Sequence, residues 1–227
     1  MSGALAVVDL RVSIQSVEVL RGLSLAVEPG EMIGLVGRNG AGKTTTLRAV
    51  MGLLPAQGQI RFAGVDLARL PTHGRAAIGI GYMPEDRRLV PQLSVEENIL
   101  LPSWAIRDRD GKARLAFVYG LMPEVAAMRA RKALQLSGGQ QKLVALARAL
   151  IAGTRLLLLD EPFEGVAPAL SQRLAEVIAA LKGSGLCVLI AQSDLNHSVR
   201  LLDREYPIER GANRARTAAA TPALDHE

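Results

Sequence analysis

The sequence predicts an α/β protein in which a mixed, mainly parallel core sheet is joined to an N-terminal antiparallel β-layer and a helical subdomain. Three observations predict this fold. Apolar and polar residues alternate through positions 7–27, which is typical of short antiparallel strands joined by turns. Two unbroken apolar runs, 156–159 and 186–190, have the length of parallel strands covered on both faces. Positions 95 to about 132 have helical apolar spacing instead.

The other elements follow in chain order. After Glu28-Pro29-Gly30, an apolar run predicts a strand at 32–36, and further patterns predict a helix at 45–50, a strand and turn at 58–64, a buried strand at 78–83 and a helix at 170–181. Ser94 and Glu97 have the spacing of a capping box and open the helical insertion. The helix at 170–181 connects the two late parallel strands as a crossover.

Composition predicts a compact protein of the cell interior. The 227 residues are 49% hydrophobic, which is enough for a substantial core. The single cysteine, Cys187, lies in an apolar run, so we expect it to be buried rather than bridged. The sequence after Met1 has no signal-peptide pattern, and no window approaches the ~18 apolar residues of a membrane span. We therefore expect a soluble protein in a reducing compartment.

The charge balance permits a nucleic-acid or membrane partner but selects neither. The formal net charge is +5 and the pI is about 9.8. Basic residues are interleaved with acidic ones, as at 107–110, and aromatic residues are only 3% of the chain. A platform for single-stranded nucleic acid would place stacking aromatics between the basic residues. We therefore expect a solvated charged surface and no nucleic-acid partner.

A glycine-rich segment lies between the predicted strand at 32–36 and the helix that follows it. Its glycines let the backbone curl with N–H groups pointing inward, and the N-terminus of the helix faces the same anion. Lys43 would reach the β- and γ-phosphates, and the Thr44 hydroxyl would coordinate Mg²⁺. The alternative is a glycine-rich turn that binds nothing, which the spacing of Lys43 and Thr44 disfavours. The predicted nucleoside triphosphate site comprises Gly37, Arg38, Asn39, Gly40, Ala41, Gly42, Lys43, Thr44 and Thr45.

The apolar run at 156–159 ends in two carboxylates, Asp160 and Glu161. At the tip of a parallel strand, Asp160 would lie beside the Mg²⁺ bound by Thr44 and act through a water. Glu161 could then hold and deprotonate the attacking water. The alternative is an acidic strand end without a catalytic role, which the phosphate loop makes less favourable.

A second turn, formed by Ser137, Gly138, Gly139 and Gln140, precedes a helical run at 142–151. The serine and the two glycines again form an anion site at a helix N-terminus. One nucleotide cannot use two such sites that lie far apart in a small domain.

With these three motifs in this order, the chain resembles the ATP-binding cassette family from about residue 5 to 211. The resemblance implies the P-loop NTPase fold and a head-to-tail dimer, with each ATP held between 37–45 of one subunit and 137–140 of the other. It implies one ATP-binding domain over residues 1–211, with a core and β-layer at 1–84 and 155–211 and a helical insertion at 85–154. The composition of residues 212–227 predicts a flexible tail.

Several positions depart from the family pattern. Glu85 stands where a glutamine usually senses Mg²⁺, and a carboxylate can still bind the metal. Gln192 replaces the switch histidine; its amide can donate to a γ-phosphate oxygen but cannot titrate near neutral pH. His197 lies further along, where solvent or packing contacts are favoured for it. Ala167 replaces the usual aspartate. Ile14 replaces the aromatic residue that stacks on adenine.

These departures, with 84–88, 94–98 and 164–168, resemble the ATPase subunits of importers for branched-chain or hydrophobic amino acids, with urea importers as near relatives. The resemblance implies ATP hydrolysis with ATP and Mg²⁺ as cofactors. It assigns catalysis to Glu161 and Gln192 and metal binding to Thr44, Glu85 and Asp160.

The implied partners are membrane permease subunits, a second ATPase subunit that is identical or similar, and indirectly a substrate-binding protein. They would hold the chain peripherally on the inner face of the cell membrane. The alternatives are a urea or amide importer, a soluble non-transport ATPase of the family, and a regulatory module without catalysis. The last is opposed by Lys43, Asp160 and Glu161, which are all intact.

Overall fold

The computed structural model describes residues 4–107, 110–193 and 201–213, which form two β-sheets and seven α-helices. The strands are β1 Leu5–Ile14, β2 Val17–Val27, β3 Met32–Val36, β4 Gln57–Phe62, β5 Val65–Asp66, β6 Ile80–Met83, β7 Leu156–Asp160, β8 Cys187–Gln192 and β9 Arg204–Pro207. The helices are α1 Lys43–Val50, α2 Thr72–Ala77, α3 Val95–Ala105, α4 Gly111–Leu121, α5 Pro123–Ala127, α6 Gly138–Ala152 and α7 Pro168–Ala179.

The N-terminal layer is a four-stranded antiparallel sheet in the order β2-β1-β4-β5. Leu5 pairs with Val27 on one side and with Phe62 on the other, so β1 is a central strand. The antiparallel layer is confirmed, but its first strands are longer than expected. Gly22 has a φ of +93°, a conformation open to glycine, and β2 continues through it without a turn.

The second sheet is parallel, in the order β6-β7-β8-β3-β9. Its register pairs Val36 with Gln192 and Asp160 with Ala191. Parallel strands present their carboxyl ends at one edge, where open α/β sheets bind ligands. This edge therefore brings the ends of β3, β7 and β8 together.

The core lies on both faces of this parallel sheet. Successive side chains of a strand point to opposite faces, and in β7 Leu157 and Leu159 pack with the helices around α6, whereas Leu156 and Leu158 pack with α1 and the β-layer. This arrangement explains the unbroken apolar run at 156–159, because every one of its side chains is buried.

The helical stretch predicted from residue 95 to about 132 begins as predicted but ends earlier. The Ser94 Oγ accepts from the Glu97 N–H (3.2 Å) and a Glu97 carboxylate oxygen accepts from the Ser94 N–H (2.7 Å), which confirms the capping box. The helical prediction to about residue 132 was wrong beyond Ala127. There the chain turns back, and Lys132 forms an antiparallel bridge with Ser94.

The strand predicted at 78–83 starts only at Ile80. Ile78 caps the C-terminus of α2, which the sequence did not predict, and Gly79 turns the chain with a φ of +94°.

The last described residues are attached to the β-layer. The Asn213 Oδ1 accepts from the Ser24 N–H (2.9 Å), and the Asn213 Nδ2 donates to the Ser24 carbonyl. The rest of the predicted tail, from 214, lies outside the described residues, as does His197. In the part of the chain that is described, no helix combines the length and apolar character needed to cross a membrane.

Candidate functional site

The phosphate loop connects β3 to α1 and is shaped by glycines. A Cβ added to Gly37 would lie 2.3 Å from the Ile208 carbonyl oxygen, so only glycine fits. Gly42 has a φ of +110° and occupies the N-cap of α1, where it supplies no side-chain cap. The first-turn N–H groups of α1 are therefore not covered by a capping side chain, as an anion site at a helix N-terminus requires.

Lys43 lies inside this loop with only 4% of its surface exposed. Its Nζ is 2.6 Å from the Gly37 carbonyl and 3.2 Å from the Arg38 carbonyl. The same ammonium is 3.0 Å from the Ser193 Oγ and 3.0 Å from a Glu161 carboxylate oxygen. An ammonium has three protons, so a phosphate can bind Lys43 only by replacing some of these oxygens.

Asp160 is fully buried at the end of β7, and two hydroxyl groups hold its carboxylate. The Thr44 Oγ1 donates to Oδ1 (3.0 Å), and the Tyr82 hydroxyl donates to Oδ2 (3.2 Å). Burial raises the pKa of Asp160 to about 6, although the bonds from Thr44 and Tyr82 act in the opposite direction. Burial and the neighbouring Asp160 also raise the pKa of Tyr82.

The same edge has room for a phosphate group. A cavity of about 380 Å³ is lined by the phosphate loop together with Val19, Glu85 and Glu161. A larger one, about 1020 Å³, lies between the loop and the segment from Pro207 to Asn213. Val19 lines the smaller cavity, whereas Ile14 lies at the β1–β2 turn with 39% of its surface exposed.

The donor set fits Mg²⁺ bound together with phosphates. No group of three histidine, cysteine, aspartate or glutamate side chains in the described ranges could hold a metal alone. Mg²⁺ usually takes only one or two carboxylates and completes its shell with water and substrate phosphates. The hydrogen-bonded pair of Thr44 and Asp160, with Glu85 on the adjoining cavity, could supply such ligands.

Glu161 occupies a strained position next to this pair. Its φ is +45°, in the left-handed region that non-glycine residues seldom adopt, and its N–H donates to the Ala191 carbonyl (2.9 Å). Its carboxylate accepts from the Ser193 N–H (3.0 Å) and from the Ser193 hydroxyl (2.6 Å). Gln192 is 2% exposed, and its main-chain carbonyl accepts from the Gly37 N–H (3.3 Å).

The turn formed by Ser137, Gly138, Gly139 and Gln140 opens α6 and closes a capping box. The Ser137 Oγ accepts from the Gln140 N–H (3.3 Å), and the Gln140 Oε1 accepts from the Ser137 N–H (3.1 Å). In the described part of the chain, this turn does not line either of the two phosphate-loop cavities. Within one chain, the two predicted anion sites are therefore not brought together.

Sequence reasoning missed two residues of this cluster, Tyr82 and Ser193. Tyr82 lies in a short apolar strand and carries no sequence signal, because its contact with Asp160 follows from the strand order, in which Tyr82 pairs with Leu158. Ser193 directly follows Gln192, and its signal is a hydroxyl at the end of a buried parallel strand.

Comparison with known proteins gives one consistent result. Residues 20–164 match the family described as ABC transporter. The high-affinity branched-chain amino acid transport ATP-binding protein BraG of Pseudomonas aeruginosa is 35% identical over 196 residues, covering 86% of this chain and 84% of that protein. The lipopolysaccharide export system ATP-binding protein LptB of Escherichia coli K12 is 37% identical over 196 residues, covering 85% and 81%.

Solved structures agree on the fold. A structure described as the ATP-binding subunit of an ABC transporter superimposes with a TM-score of 0.82 and 28% identity, covering 93% of this chain and 88% of that one. A nucleotide-free ATP-binding cassette from an ABC transporter gives a TM-score of 0.82 at 24% identity, covering 94% and 90%. The predicted fold class is confirmed.

Proposed function

Because this chain belongs to the ABC transporter family of ATP-hydrolysing enzymes, we propose that it is the ATPase subunit of an importer for branched-chain or other hydrophobic amino acids. The observation that carries the catalytic part is the meeting of the phosphate loop with two carboxylates. Thr44 bonds Asp160 at 3.0 Å, and Lys43 pairs with Glu161 at 3.0 Å.

Each of these groups has a role in phosphoryl transfer to water. The loop amides and Lys43 bind the β- and γ-phosphates. Thr44 and Asp160, with Glu85, would hold Mg²⁺, which neutralises charge on the phosphates when bound. Glu161 orients the attacking water and accepts its proton, and the Gln192 amide donates to a γ-phosphate oxygen.

The second anion site supports a head-to-tail dimer. Residues 137–140 are absent from the lining of the described phosphate-loop cavities of their own chain, and Ser137 and Gly138 are exposed at the start of a fifteen-residue helix. In the proposed pair, this turn of one subunit closes over the nucleotide on 37–45 of the other. The partner is a second copy of this chain or a similar subunit.

The proposed docking region for the permease is the segment after Glu85. Fully buried Asn98 holds it: its Nδ2 donates to the carbonyls of Val90 (3.0 Å) and Leu93 (3.3 Å), and its Oδ1 accepts from the Val90 N–H (2.7 Å). Arg148 of α6 donates to the carbonyls of Arg87 and Arg88. Closure of the dimer on ATP would therefore rotate this segment together with α6.

A cross-linking experiment tests this region. Val90→Cys places a thiol on a residue that is 38% exposed, and Cys187, the chain's single native cysteine, is 2% exposed. Membranes that hold the assembled complex should give a cross-link from position 90 to a permease subunit. A permease that never cross-links here, but does so from a position elsewhere on the surface, would remove the proposed docking region.

The amino acid cargo rests on residues 84–88, 94–98 and 164–168 and on the name of one relative, BraG. LptB, a relative named for lipopolysaccharide export, is equally similar. Cells depleted of the chain should lose uptake of labelled leucine and regain it with the wild-type chain but not with Glu161→Gln. Loss of urea uptake would assign the urea importer, and a lipopolysaccharide defect with normal uptake would assign an exporter.

Glu161→Gln in the purified protein tests the hydrolytic site. Removing the general base should lower turnover by at least about 100-fold, while ATP binding is retained and ATP-bound dimers accumulate in size-exclusion chromatography. Glu176→Gln on α7 is the matched control, because it makes the same chemical change at an exposed carboxylate. Unchanged turnover in Glu161→Gln would take the catalytic role away from this residue.

A further inference from the structure

Ser193, which has no role in the function proposed above, binds the carboxylate of Glu161. We infer that Ser193 is a positioning residue that fixes the orientation of Glu161 for its work as a base; this inference rests on the proposed role of Glu161. The Ser193 N–H donates to Oε2 at 3.0 Å, and the Ser193 hydroxyl donates to Oε1 at 2.6 Å. One residue thus binds both carboxylate oxygens, which fixes the plane of the carboxylate as well as its place.

The Ser193 hydroxyl matters because Lys43, which also contacts the Glu161 carboxylate, has a second role. Lys43 lies 3.0 Å from the same Oε1, and the proposed function has it bind phosphate. When a phosphate oxygen competes for the ammonium, the lysine contact to Glu161 weakens. The Ser193 N–H binds Oε2 without any contact to Lys43, and the Ser193 hydroxyl gives its proton to Oε1 although it also accepts from the Lys43 ammonium. Both bonds to the carboxylate can therefore persist when the ammonium turns to a phosphate oxygen.

Ser193 can hold this position because its backbone is anchored by the sheet. It follows β8, whose last residue, Gln192, is in register with Val36 at the end of β3. The Gln192 carbonyl also accepts the Gly37 N–H at 3.3 Å. A polar group on such a fixed strand end supports a catalytic side chain better than one on a free loop.

A third neighbour completes the contacts of the hydroxyl. The Asn39 Oδ1 lies 2.6 Å from the Ser193 Oγ, and Lys43 donates to that Oγ at 3.0 Å. A hydroxyl has one proton to give. A carboxylate is a stronger acceptor than an amide oxygen, so the Ser193 hydroxyl donates to Glu161. The Asn39 side chain can then donate to the hydroxyl if its amide is oriented with the NH2 group toward Ser193. Ser193 therefore connects the phosphate loop to the base.

Steady-state ATP hydrolysis by the purified chain tests the inference with three substitutions. Ser193→Ala removes the hydroxyl and keeps the N–H, Ser193→Thr keeps both, and Ser171→Ala removes a buried hydroxyl on α7 that has no hydrogen-bond partner among the described residues. Loss of one bond to a charged group should lower kcat of Ser193→Ala by roughly tenfold or more. The KM for ATP should stay within about twofold, since the phosphate ligands are unchanged.

The comparison among variants decides the result. We expect Ser193→Thr to retain most of the wild-type kcat and Ser171→Ala to match wild type. A Ser193→Ala enzyme with unchanged kcat, or one that changes only KM, overturns the positioning role, as does a threonine variant as slow as the alanine variant. Glu161→Gln in the same assay separates the two proposals: if it is inactive while Ser193→Ala is normal, only the role of Ser193 fails.

Discussion

Replacing Asp160 by asparagine should stabilise the nucleotide-free, metal-free protein at neutral pH. The fully buried carboxyl has a pKa of about 6, against an ordinary value of 3.8. In the unfolded chain it ionises near pH 4, whereas in the folded chain it stays protonated until about pH 6. The folded state therefore binds more protons in this window, and its stability falls as pH rises.

The size of the effect follows from the two pKa values. The difference of about 2 pKa units, at 1.36 kcal/mol per unit, gives a loss of about 3 kcal/mol between pH 4 and pH 7. Asparagine keeps the size of the side chain and one of its two accepting oxygens, places an NH2 group opposite the other hydroxyl, and does not ionise. The advantage of Asp160→Asn over wild type should therefore grow by about 3 kcal/mol across this range.

Urea unfolding in EDTA at several pH values measures this difference. The matched control is Asp203→Asn, because the Lys182 side chain and the Met32 N–H lower the pKa of Asp203. That variant should be less stable than wild type by a nearly constant amount above about pH 5, because a lowered pKa makes stability depend on pH only below the ordinary value of 3.8. A gap between Asp160→Asn and wild type that does not change from pH 4 to pH 7 would refute the reasoning.

Two further predictions concern backbone and titration. Gly211→Ala should lower the free energy of unfolding by more than about 2 kcal/mol, measured by urea unfolding, because Gly211 has a φ of +80° and its added Cβ would lie 1.9 Å from the Val19 carbonyl oxygen. The pH profile of ATP hydrolysis should show no titration step that depends on residue 192, because Gln192 does not titrate, and Gln192→His should introduce such a step between about pH 6 and 7.

Each of these predictions has a control. At Gly183, φ is +83° and an added Cβ meets no described atom within 4 Å. Gly183→Ala should therefore lower the free energy of unfolding by only about 1 kcal/mol, the cost of a left-handed backbone for alanine. Equal losses at positions 211 and 183 would contradict the role given to the Val19 contact. For the titration, a wild-type step near pH 6.5 that persists in Gln192→Ala would have to come from another group.

The fold was predictable wherever a sequence pattern had one structural meaning. The run at 156–159 has the length of a strand covered on both faces, and Ser94 with Glu97 marks the start of α3. The errors fall where local signals are weak. Ile78 continues an apolar run but caps a six-residue helix, and the stretch after Ala127 keeps apolar residues while Lys132 pairs back to Ser94. Such long-range pairing leaves no periodic trace.

The candidate site was predictable to the extent that its residues form motifs. Lys43, Thr44, Asp160 and Glu161 were identified by spacing, and the structure places them in contact. Which further residues touch them depends on the order of strands in the sheet. That order puts β6 and β8 on either side of β7, and no spacing rule for a single chain specifies it.

The alternation of β7 makes neighbouring leucines reporters on different halves of the molecule. A methyl label on Leu157 reports on the apolar cluster around α6, and one on Leu158 reports on the apolar cluster around α1 and the β-layer. The strand that ends in Asp160 thus lies between two apolar clusters, one on each of its faces. Isotope labels on Leu157 and Leu158, one residue apart, would therefore report a conformational change in each cluster separately.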